Sequence, residues 1–233
     1  MIETLQNLDF LPFILSFKLA LLTTVILFII SLPLAWYLSQ MQSKYKPFFE
    51  SITALPLVLP PSVLGFYILV MLSTNSPIGG FFEDVFDIKL IFNFTGLVVA
   101  SCIYSLPFMV QPLQGGFESL PKNILEASYI AGKGTVETIF RVALPNIKPA
   151  LLTALIITFA HTVGEFGVIL MVGGSIPGET KVASVAIYEM VEIMDYTAAH
   201  IYSGIMVFMS FSVLLIVYIF NAKQAKRIGI FHS

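Results

Sequence analysis

Two side chains in this sequence are able to hold or pass a charge where little else can. His161 and Glu165 lie four residues apart in the run from Pro149 to Val172, which carries no other ionisable group. That spacing sets two side chains on one helix face, within reach of a hydrogen bond or an ion pair. An imidazole and a carboxyl so placed could relay a proton, since ionisable residues inside a membrane span mark proton and ion paths. Catalysis has less support. One His and one Glu on one helix do not bring two reacting groups together from facing elements, which argues against an intramembrane enzyme. The sequence contains no Walker A string, zinc-ligand spacing, nucleophile elbow or dinucleotide glycine fingerprint. No catalytic residue, metal ligand or bound cofactor is therefore assigned.

The elements that must position this pair are read from composition. Of 233 residues, 57% are hydrophobic and 11% charged, against about 45–50% and about 25% in a soluble domain. A water-facing surface cannot be built from that supply, so the chain is predicted to be an all-α polytopic membrane bundle with lipid as its surroundings. Five runs are long and apolar enough to cross a hydrocarbon core about 30 Å thick: residues 12–37, 51–72, 94–113, 149–172 and 201–220. Lys18, near the start of the first run, can lay its stem along the helix and reach the interface. Val182 to Met194 is apolar but short and interrupted by Glu189 and Glu192, which fits a re-entrant or interfacial helix and leaves five or six embedded helices open. The acidic first residues and long first run fit a retained span rather than a signal peptide. The single cysteine, Cys102, excludes an intrachain disulfide. A net charge of -2 without a basic stripe excludes nucleic acid as a partner.

Orientation follows from Lys and Arg, which gather on the cytoplasmic side. With the N-terminus outside, the inner segments hold Lys44, Lys46, Lys122, Lys133, Arg141, Lys148, Lys223, Lys226 and Arg227, while the outer loops hold Lys89 and Lys181. The C-terminus is then cytoplasmic, and so is the polar segment 118–148. That segment has room for two short helices broken around Gly132, Lys133 and Gly134, a protrusion able to dock a soluble partner. No internal repeat appears, so one domain, 1–233, is expected, and any symmetry must come from a second copy.

Within that segment stand Glu126-Ala127-Ser128, then Gly132, then Val142-Ala143-Leu144-Pro145. The pattern resembles the EAA loop of permease subunits of binding-protein-dependent ABC importers. Its small residues let a helix sit closely in a groove, and Gly132 lets the chain turn without a Cβ penalty. Pro145 punctuates the second helix. Leu55-Pro56-Leu57-Val58-Leu59-Pro60-Pro61 looks like the corresponding string in molybdate, tungstate and sulfate permeases. Gly164-Glu165-Phe166-Gly167 and Gly173-Gly174-Ser175-Ile176-Pro177-Gly178-Glu179-Thr180 look like the molybdate pattern.

The resemblance covers about Ser16 to Phe220 and implies a type I importer permease for a tetrahedral oxyanion, molybdate or tungstate first, with sulfate as the alternative. It implies a homodimer in a bacterial or archaeal cytoplasmic membrane and an extracytoplasmic oxyanion-binding protein. It also implies two cytoplasmic ATPase subunits, which would use the ATP and Mg. Glu126, Ala127, Ser128, Gly132, Leu144 and Pro145 would couple to that ATPase. Pro60, Pro61, His161 and Glu165 are the pathway or gate candidates. Many permeases of this kind carry Arg near His161, so fixed positive charge along the path is in doubt here. Glu165 would repel a dianion unless neutralised, which favours a structural or gating role. An ion-coupled secondary transporter is the reading from another class. Gly164, Gly167, Ser203 and Gly204 are read as close-packing positions, and Gln111 and Gln114 as pathway lining or partners for backbone freed at Pro107 and Pro112.

Overall fold

The computed structural model describes residues 9–227, and the two chain ends, whose sides the charge pattern assigns, lie outside the described residues. Among the described residues every element is helical. Helix α1, Leu11–Gln40, has 30 residues and at 1.5 Å per residue is about 45 Å long, so it joins the two ends of the bundle.

The expected second span is not one segment. Helix α2, Lys46–Val58, starts earlier than predicted and is bent by 110° from α3, Pro61–Leu72. Pro60 and Pro61 have no N–H to continue a ladder, and proline drives the residue before it out of the helical region. Leu59 accordingly has ψ 136 and Pro60 ψ 137. Helix α4, Pro77–Phe86, was not foreseen; Ser76 Oγ accepts the Gly79 N–H at 2.9 Å, and Asp87 closes it with φ 54. Helix α5, Phe94–Glu118, is capped by Asn93 Oδ1 at 2.7 Å from Gly96 N and runs past the predicted end at 113.

Helices α6, Lys122–Ile130, and α7, Thr135–Asn146, form the expected pair of short helices, α7 containing a π-helical turn at Ile139–Ala143. An 87° corner at Ile147 leads into α8, Lys148–Val163. The predicted fourth span is interrupted too: α8 stops at Gly164, and α9, Gly167–Gly173, is a separate short helix. Helix α10, Ala183–Glu192, matches the short helix expected there, and α11 is Tyr196–Arg227. Three helices, α1, α5 and Tyr196–Leu215 of α11, are long and apolar enough to cross a membrane alone; α2 with α3 and α7 with α8 qualify only as bent pairs, giving up to five.

The apolar core divides by end. At one end Trp36, Phe117, Leu120, Leu125, Ile139, Leu144 and Ile147 pack together. Leu15, Leu19, Leu97, Ile169, Val182 and Val185 pack at the other. There Tyr202 stacks on Phe13 at 5.1 Å between ring centres, and the Ala183 N–H donates to Ser16 Oγ at 2.9 Å. Segments that the charge pattern assigns to opposite faces thus sit at opposite ends of α1.

Candidate functional site

The hairpin of α6 and α7 is built from short-range contacts. Gly132 has φ +79 with no atom within 4 Å of where a Cβ would lie, so backbone conformation, not space, demands glycine. Its N–H donates to Tyr129 O at 2.9 Å, and the Lys133 N–H donates to Ser128 O at 3.2 Å. These are the two bonds of a Schellman cap. Ser128 Oγ lies 2.9 Å from Thr138 Oγ1, both buried, which ties the two helices together. Leu144 is buried in the inner core, while Pro145, Glu126 and Ala127 are exposed. Beside them Tyr129, Val136 and Phe140 are exposed, and Ile130 is 87% exposed. The hairpin is anchored by one face and presents an uncovered, partly apolar other face.

The second region is the break between α8 and α9. Gly167 is packed so that a Cβ would come 2.9 Å from Pro61 Cβ, and one on Gly65 would meet Met171 Cβ at 2.9 Å. Helices α3 and α9 therefore cross at glycine contacts, the close packing expected of Gly167. Gly204 has nothing within 4 Å, so within the described subunit that reading finds no neighbour for it. A cavity of about 670 Å³ opens at the break, lined by Pro61, Ser62, Tyr104, His161, Gly164 and Glu165 among others. Three of the four predicted pathway residues thus share one space; Pro60 is not among its lining.

The predicted pairing of His161 with Glu165 does not form. Helix α8 ends at Val163, so the two residues do not share a continuous helical turn and no ion pair joins them. His161 Nδ1 instead lies 3.0 Å from Ser105 Oγ, which lies 3.0 Å from Thr162 Oγ1. The imidazole stacks on Phe108 at 3.9 Å and meets Tyr104 edge-on at 4.7 Å. Glu165 is 4% exposed, and neither carboxylate oxygen has a hydrogen-bond partner. Its main chain is fixed, with Ser184 Oγ donating to Glu165 O at 2.7 Å.

Sequence reasoning missed Ser105, Thr162 and Phe108, which set the histidine ring; an isolated Ser or Thr in an apolar helix carries no signal of its own. It also missed the polar cluster at the hairpin end of the bundle, where Lys46 Nζ donates to Glu118 at 2.7 Å and Gln114 Nε2 donates to Glu50 at 2.6 Å and Glu118 at 2.9 Å. Gln114 and Gln111 line a cavity of about 480 Å³ there, so lining rather than backbone repair describes Gln114. Lys18 sits 4.5 Å from the centre of the Phe94 ring. At the other end Thr180 Oγ1 donates to Gly173 O at 2.7 Å and accepts the Ile176 N–H at 2.9 Å, closing the loop after α9. Lys181 pairs with Glu189 of α10. Partial burial raises the Glu189 carboxyl, but the paired Lys181 ammonium, with the Ser175 hydroxyl nearby, outweighs it and holds it below the usual range.

Residues 22–229 match the family described as binding-protein-dependent transport system inner membrane component. The molybdenum transport system permease protein of Azotobacter vinelandii is 48% identical over 204 residues, 88% of this chain and 90% of that protein. A probable sulfate transport system permease protein of Helicosporidium sp. subsp. Simulium jonesii is 34% identical, over 89% of this chain and 77% of that protein. Among solved structures, an inward-facing form of the MetNI methionine ABC transporter superposes with a TM-score of 0.68 at 16% identity, covering 87% of this chain and 89% of that one.

Proposed function

The chain belongs to the family of binding-protein-dependent transport system inner membrane components, and from that premise we propose that it forms the membrane path of an ATP-driven importer for molybdate. The observation that carries the substrate is the 48% identity, over nine-tenths of its length, to a molybdenum permease, against 34% to a probable sulfate permease. In this reading two copies enclose the path, and an extracytoplasmic binding protein delivers the oxyanion to the outer face. The N-terminus is outside and the C-terminus cytoplasmic. The chain holds no cofactor and hydrolyses nothing itself.

The coupling role falls to the hairpin. Glu126, Ala127 and Ser128 lead to the Gly132 turn, Leu144 anchors the return in the core, and Pro145 follows it at the surface. The uncovered Ile130, Val136 and Phe140 beside them are an apolar surface that a polar medium disfavours and a soluble ATPase subunit would cover. The path and gate role falls to Pro60, Pro61, His161 and Glu165. The bend at the prolines and the break at Gly164 give the bundle two places where helices can shift against one another. Sparse charge along the path suits transport, which needs a substrate held weakly enough to leave.

The test is uptake into proteoliposomes holding this chain, its ATPase subunit and the binding protein. Labelled molybdate should accumulate only with ATP, and excess sulfate should compete poorly. Sulfate uptake at equal or greater rate would transfer the substrate to sulfate; uptake by this chain alone under a proton gradient would sink the importer reading.

A further inference from the structure

Glu165 is the least satisfied group in the described molecule. It is 4% exposed, and both carboxylate oxygens lack a partner. The polar group beside it is the Ser101 hydroxyl of α5, itself fully buried and equally without a partner. Neither group finds a partner elsewhere among the described residues. An ionised carboxylate can only accept; Ser101 could serve one oxygen and would leave the other bare, with the charge uncompensated.

The surroundings offer nothing else to neutralise it. From α5, Cys102 and Tyr104 lie within range of its charge. From α8 comes His161, whose Nδ1 is taken by Ser105. From α10 comes Ser184, whose hydroxyl is spent on the Glu165 carbonyl, and from α3 Ser62 borders the shared cavity. No Lys or Arg pairs with Glu165 among the described residues. Burying an unpaired charge in such a site costs several kcal/mol, and a neutral acid avoids that cost.

We propose that Glu165 resides in the membrane as a neutral carboxylic acid donating its O–H to Ser101 Oγ, and that this proton removes the barrier an ionised carboxylate would raise against a dianion. The proposal rests on the importer reading for its second half. It makes Glu165 a positioning residue, pinned to α5 across the break, and Ser101 its acceptor.

The test is infrared spectroscopy of the assembled importer in lipid discs at neutral pH, without substrate or ATP. The wild-type spectrum minus that of Glu165→Gln should contain one neutral-carboxyl C=O band that shifts in heavy water, and Ser101→Ala should move it. Ionised-carboxylate bands in its place would overturn the proposal. Should the Gln variant fail to assemble, carbon-13 labelling of the glutamate carboxyls in the wild type gives the same answer. Glutamates in contact with water are ionised at neutral pH, so an isotope-shifted acid band supports the proposal and its absence overturns it. Because the band is read without transport, its loss and a failure to import molybdate are separate results.

Discussion

The hairpin of α6 and α7 and the break between α8 and α9 are both places where a helical chain turns, and they are held in opposite ways. The hairpin turn is closed by neighbours, with Gly132 bonded to Tyr129 and Lys133 to Ser128. The break is held from a distance, by Pro61 against Gly167, Ser184 against the Glu165 carbonyl and Ser105 against His161. A turn made locally can stand out in water as a handle, whereas one made by three other helices moves only when they move. The first arrangement would suit the docking, and the second the gating, proposed above.

The contrast breaks most sharply at Gly132. Gly132→Pro cannot adopt φ +79 and loses the N–H to Tyr129, a defect of about 3 kcal/mol or more. Uptake by the reconstituted importer should fall about tenfold or more, with the chain still recovered in membranes. The exposed Glu126→Lys should also lower uptake, yet change thermal stability by no more than about 0.5 kcal/mol. Equal uptake by both variants and the wild type would remove the hairpin from coupling.

At the break, Gly167→Val puts side-chain atoms against Pro61, whose ring cannot swing aside. A loss of about 1–3 kcal/mol is expected, read as a lower melting temperature in detergent; an unchanged melting temperature would show that α3 and α9 are free to separate.

The smallest effect is expected outside the break, where Lys181 on the loop after α9 meets Glu189. The Glu189 carboxyl lies below its unfolded value. Its contribution is therefore present above the unfolded value and lost as pH falls through the folded one. Glu189→Gln should cost under about 1 kcal/mol at neutral pH and nothing in acid. A difference from wild type that grows on acidification would contradict that sign.

This contrast also explains what could be read beforehand. The Gly132 turn and the two helices flanking it were legible because each is decided by adjacent residues. The 110° angle was not, since proline dictates that a helix stops and not where the next one points. The stop at Gly164 hid inside an apolar run whose glycines read as packing positions. Only tertiary contacts show that His161 belongs to Ser105 and Phe108 rather than to Glu165. Helix α4 was missed because it lies in a connection between spans, where apolar residues are interrupted by charges and no long run forms.

Trp36 is the chain's single tryptophan, and it sits edge-on to Phe117 at 5.1 Å in the cluster that also holds Leu125, Ile139 and Leu144 of the hairpin. The subunit therefore carries its own optical probe at the joint between handle and bundle. Its emission colour and quenching should follow the seating of α6 and α7 with no dye attached, so that seating can be watched in the native chain in real time.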